Sequence, residues 1–187
     1  DISCNFLNNF NLHFLLTYVY NEPWFFYFGI LFLLTTIISF FFISYLGLYG
    51  VFLINIIALF FFWFTSLIYF FHIVGTNNLY IIKCGKWFTL FNNLNVDLEF
   101  YIDSLSISYM VLTLTISYFV QLYTFSYFRY EPLVERLVLF LNNFIISMIF
   151  FVSTMNLILL FLGWELIGFT SFALINFWVT RKATLKS

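Results

Sequence analysis

WFFYFGILFLLTTIISFFFISYLGLYGVFLINIIALFFFWFTSLIYFF, residues 24–71, runs from just after Glu22 up to His72 without one Asp, Glu, Lys, Arg or His. Crossing about 30 Å of hydrocarbon takes about 20 largely apolar residues in a helix, because lipid offers the backbone no hydrogen bonds. The stretch is long enough for two crossings, and Gly47 and Gly50 near its middle mark a tight turn between helices at about 24–46 and about 51–73.

The same reading extends outward. Of 187 residues 64% are hydrophobic and 8% charged, which leaves too little polar surface for a water-soluble domain of this size. Three further helices are expected at about 103–128, 134–152 and 156–178, separated by the polar turns Arg129 to Arg136 and Ser153 to Asn156. The fold class is therefore an all-α polytopic membrane protein with about five transmembrane helices. Its expected divisions are an interfacial arm at 1–22, helices 1 and 2 within 23–75, an extramembrane loop at 76–101, helices 3 to 5 within 102–180, and a basic tail at 181–187. The loop carries Lys83, Lys86, Asp97 and Glu99, with a pair of short strands expected around Trp87 to Leu98. The arm is apolar but broken by Asn5, Asn8, Asn9, Asn11 and His13, so it is expected to lie on the membrane rather than cross it. No internal repeat of useful length is visible.

Net charge is −1, so neither nucleic acid nor an anionic membrane surface is an implied electrostatic partner; the lipid dominates instead, and membrane lipids, cardiolipin among them, are expected as partners on hydrophobic grounds. The chain opens at Asp1 with neither a secretory nor an Arg-rich transit pattern, which suits insertion from inside an organelle. Abundant Phe, Ile, Leu, Tyr and Asn suggest an A- and T-rich organelle gene. Arg129, Arg136, Arg181, Lys182 and Lys186 fall on one side of the expected topology and only Lys83 and Lys86 on the other. The C-terminus is thus expected on the matrix side and the N-terminus in the intermembrane space. Cys4 and Cys84 then share the outer side, as two free thiols or a disulfide.

One ionisable residue breaks the pattern. Glu165, in Gly163-Trp164-Glu165, sits about halfway along the fifth helix, where a charged carboxylate costs roughly 2.5–3.5 kcal/mol on insertion scales. It reads either as a proton-exchanging or cation-pairing site or as a protonated acid that bonds helices together. Gly168 and Asn176 share a stripe with it at helical spacing, so this face is expected to look into protein rather than lipid. On the third helix Ser106, Thr113, Ser117, Gln121 and Thr124 make a polar stripe, more in keeping with interhelical bonding than with a water path. His72 reads as an interfacial residue. No HExxH, GxGxxG, phosphate loop or Ser-His-Asp set occurs, so no cofactor or metal is expected in this chain.

Phe100-Tyr101-Ile102-Asp103-Ser104-Leu105-Ser106, then Tyr127-Phe128-Arg129, then Leu160-Phe161-Leu162-Gly163-Trp164-Glu165-Leu166-Ile167-Gly168, then Ser171-Phe172 and Leu174 to Trp178, together resemble the subunit 5 family of NADH dehydrogenase. This is the large antiporter-like membrane subunit of mitochondrial respiratory complex I, and the resemblance covers about residues 96–182. It implies a membrane-arm subunit of proton-pumping NADH:ubiquinone oxidoreductase in the mitochondrial inner membrane. It further implies that Glu165 belongs to a proton path, paired with a lysine on a later helix, and that Asp103, Gly163, Trp164, Gly168 and Arg181 have mainly structural roles. The implied partners are other membrane-arm subunits and, for a split gene, a second chain with the remaining helices. Two alternatives stay open: the large subunit of a multi-subunit Na+/H+ antiporter, which shares the Gly-Trp-Glu pattern, and a structural fragment that carries no protons.

Overall fold

The computed structural model describes residues 24–76, 79–90, 94–128 and 134–178. The expected arm and tail, with Cys4 and Arg181, lie outside the described residues, as does the side chain of Cys84. Helix α1 spans Trp24–Phe41, α2 Ile43–Thr76, α3 Ser104–Tyr127, α4 Val134–Ser153 and α5 Leu157–Ile175, followed by a 3-10 turn at Asn176–Trp178. Between α2 and α3, strands β1 (Tyr80–Leu90) and β2 (Leu94–Ile102) pair antiparallel. Four described helices are long and apolar enough to cross a membrane, and α1 is a shorter apolar helix.

The turn between the first two crossings sits where the glycines place it. Residues 43–46 continue the first crossing, since the Phe42 amide bonds Ile38 O and the Leu46 amide bonds Phe42 O, both at 3.0 Å. Gly47 then takes φ 61 and ψ 178, a conformation open almost only to glycine, and the second crossing runs on to Thr76. Aromatic and aliphatic side chains and one thioether join the helices: Phe32, Leu59, Phe62, Ile73, Ile107, Met110 and Leu114 are all buried. Phe25 and Phe32 of α1 meet the Phe62 ring at centroid distances of 5.1 and 6.1 Å, and Phe52 stacks on Phe125 of α3 at 4.1 Å.

The extramembrane segment holds more structure than the sequence suggests. Its strands run well beyond Trp87 to Leu98, with irregularities in register at Lys83/Gly85 and Lys86/Phe88. One face of the hairpin, including Tyr80, Ile82 and Ile102, packs on the bundle. Phe100 pairs with Thr154, and the Met155 amide meets Glu99 O at 3.5 Å, so the hairpin closes over the α4–α5 turn. Helix α3 follows β2 directly through Asp103.

Candidate functional site

Helix α5 is hydrophobic nearly all round, and its burial is narrow: only Leu159, Gly163 and Thr170 are buried. Gly163 makes the contact with α4. A Cβ built there would stand 2.9 Å from Phe151 Cα and 3.2 Å from Phe151 N, so only glycine lets the two backbones approach this closely. That contact fixes the rotation of the helix. With about 100° per residue, turning Gly163 towards α4 turns Glu165, two residues on, largely away from it.

Glu165 is accordingly exposed on the bundle's flank, beside a shallow groove lined by Leu157, Ile158, Leu160, Phe161 and Trp164. No hydrogen bond or ion pair engages its carboxylate among the described residues. Trp164 is also exposed, with its ring edge against Phe151 at 6.0 Å between centroids and 56° between planes. One turn on, a Cβ at Gly168 would meet nothing within 4 Å, and Phe172 beyond it is exposed. The stripe expected to look into protein thus faces away from these helices. Asn176 does not extend it, because the α-helix ends at Ile175 and Asn176 is the C-cap in a 3-10 turn.

Asp103 is remote from Glu165 in role as well as in element. Its carboxylate accepts from the Ser106 amide at 2.7 Å, and the Ser106 hydroxyl accepts from the Asp103 amide at 2.8 Å. This reciprocal capping box starts α3 and satisfies two backbone donors that would otherwise be orphaned. The α3 stripe is mixed in use. Thr113 and Thr124 return their hydroxyls to backbone carbonyls one turn back, whereas Gln121 Nε2 donates to Asn142 Oδ1 across the α3–α4 interface. Sequence reasoning missed three partners: Asn142, Thr115, which accepts from Trp63 Nε1 at 2.8 Å, and Asn55, whose Nδ2 donates to Ser39 Oγ at 2.9 Å. Their signal was available, since Asn55 and Asn142 are amides set deep in apolar runs, which invites the same question as Glu165 does. His72 stands near the end of α2 with its Nδ1 3.2 Å from the Tyr80 hydroxyl, and partial burial pushes that phenol's pKa up. Among the described residues no group of three or more His, Cys, Asp and Glu is placed to hold a metal.

Residues 87–136 match a family model described as NADH-Ubiquinone oxidoreductase (complex I), chain 5 N-terminus. A protein of Paramecium tetraurelia, "NADH-ubiquinone oxidoreductase chain 5", is 46% identical over 154 residues, which are 82% of this chain and 27% of that protein. Proteins of the same name from Wickerhamomyces canadensis and Rattus norvegicus are 34% and 32% identical over 83% and 62% of this chain, and 24% and 18% of their own lengths. The chain spans about a quarter of the length of the curated relatives it matches over most of its residues.

Proposed function

Since the chain belongs to the NADH-ubiquinone oxidoreductase chain 5 family, corresponding to its N-terminal part, we propose that it builds the first helices of a membrane-arm subunit of proton-pumping NADH:ubiquinone oxidoreductase, and that Glu165 exchanges protons there. The site of action is the mitochondrial inner membrane, with other complex I subunits as partners and electron transfer carried by those partners.

One observation carries the reading. A carboxyl group sits midway along an apolar helix, and the Gly163 contact turns it out of the bundle instead of into it. Left against lipid, its ionised form is heavily disfavoured. A further helix of the subunit, on the same or a second polypeptide, covers this face, and Gly168 leaves room for close approach. In the sequence none of the seven Lys and Arg residues falls near the middle of an expected span, so the counter-charge is assigned to that covering helix. A lysine on that helix, approaching and withdrawing, would drive the proton exchange at Glu165.

Glu165→Gln in the assembled complex tests this, because the amide keeps shape and hydrogen bonding while losing the exchangeable proton. Assembly stays intact, and proton pumping with coupled quinone reduction falls well below wild type. Glu165→Asp is milder but not neutral, since its carboxylate is withdrawn by one methylene. Pumping at the wild-type rate and stoichiometry by assembled Glu165→Gln complex leaves Glu165 a scaffold residue.

A further inference from the structure

Three buried side-chain atoms have no hydrogen-bond partner among the described residues: Asn55 Oδ1, Gln121 Oε1 and Asn142 Nδ2. Asn55 and Asn142 are fully inaccessible, and Gln121 is 1% exposed. Their other amide atoms are engaged. Asn55 Nδ2 bonds Ser39 Oγ at 2.9 Å and Val51 O at 2.7 Å, and Gln121 Nε2 bonds Asn142 Oδ1. Flipping Asn55 does not help, because its oxygen would then face the Val51 carbonyl.

These atoms come from three helices but lie at one level. With a rise of about 1.5 Å per residue, Asn55 is about 12 Å along α2 from the Gly47 turn, Gln121 about 9 Å from the end of α3, and Asn142 about 12 Å from the start of α4. Successive helices run in opposite directions, so all three distances are measured from the same end of the bundle. The Phe52–Phe125 stack independently sets the register of α2 against α3, with Asn55 three residues above the one ring and Gln121 four above the other.

An amide atom buried without a partner forfeits the hydrogen bond it would make in water and is costly to the fold. Three in one layer would be a heavy burden on a bundle whose helix contacts are mostly apolar, and in a membrane bulk solvent is not at hand to relieve it. Buried water typically makes about three hydrogen bonds to groups of this kind. Gln121 Oε1 is an acceptor and Asn142 Nδ2 a donor on two side chains already held together, an arrangement that one water can bridge by donating to the first and accepting from the second. We propose that this level of the bundle is a water-binding site: one ordered water bridges Gln121 Oε1 and Asn142 Nδ2, and a second donates to Asn55 Oδ1. The α3 stripe then has a share in holding water as well as in joining helices, on a different flank from Glu165.

A map of the native complex at a resolution that shows ordered water decides the matter. Isolated spherical density is expected within about 2.7–3.2 Å of Gln121 Oε1 and Asn142 Nδ2, and a second feature beside Asn55 Oδ1. The assembled Asn142→Leu variant should lose the first feature and keep the second. Amides turned into a two-point pair with each other, a protein side chain occupying either position, or bridging density that survives Asn142→Leu would each overturn the proposal. Because the readout is positional and not an activity, it stands or falls separately from the role of Glu165.

Discussion

A glycine, not an acid, sets what Glu165 can do. The carboxylate is conspicuous in the sequence because it alone is charged at mid-membrane, yet the direction it faces was not legible there. Helix α5 is apolar on every side, so its pattern gives no inward face, and its rotation comes from the contact of Gly163 with the Phe151 backbone. Gly163→Ala forces α4 and α5 apart and should destabilise by about 1–3 kcal/mol, the usual range for overpacking. A lower heat-inactivation midpoint of the assembled complex reads this out, and an unchanged midpoint would show that the two helices do not meet at residue 163. Asp103 was legible as a helix start because an acid stood immediately before an apolar run, and the capping box explains its place without reference to proton transfer. Asp103→Ala should cost about 0.5–2 kcal/mol in the same assay, with Asp103→Asn retaining most of the stability because it still caps. Equal losses for the two would argue that the negative charge, and not the cap, matters.

Among the elements, the helices were legible to within about three residues at each end and the hairpin was not. Several helix ends carry a signal visible in the sequence: a glycine at 47, the Asp103 cap, and the Asn156 cap whose Oδ1 accepts from the Ile158 amide at 3.2 Å. The strands Tyr80–Leu90 and Leu94–Ile102 contain charges, glycine and aromatics without clean alternation, so the sequence showed only their middle. Their extent is decided by packing on the bundle and on the α4–α5 turn, a tertiary effect. The Gly47 turn yields a test at this scale. A side chain at φ 61 and ψ 178 is strained by about 1–3 kcal/mol, so Gly47→Ala should lower the inactivation midpoint. Gly75→Ala, at an ordinary helical position where a Cβ meets nothing, should leave the midpoint unchanged or raise it. A Gly47→Ala variant as stable as wild type would mean that the two crossings join differently.

Across the described residues, five alternating crossings place the Gly47 turn, the end of α3, the start of α4 and the end of the 3-10 turn at one end, and the hairpin with the α4–α5 turn at the other. Arg136, in the first turn of α4, stands at the first end, and the sequence expectation assigns four further basic residues to that side, so a protease or reporter acting at Ser187 should find it from the matrix, while access from the intermembrane space would reverse the orientation. Unequal helix lengths have a consequence for the surrounding bilayer. From Leu48 to Thr76 the second crossing is about 43 Å long, against about 30 Å for α4 and for the hydrocarbon itself. Such a hydrophobic mismatch is relieved by tilting, by a locally thickened lipid rim, or by raising the helix end out of the acyl region. The polar end of α2 favours the last of these, since His72 and Thr76 occupy its final turns and the Tyr80 hydroxyl meets His72 there. The hairpin therefore rests on a post that stands proud of the lipid, and the bilayer beside it keeps its ordinary thickness.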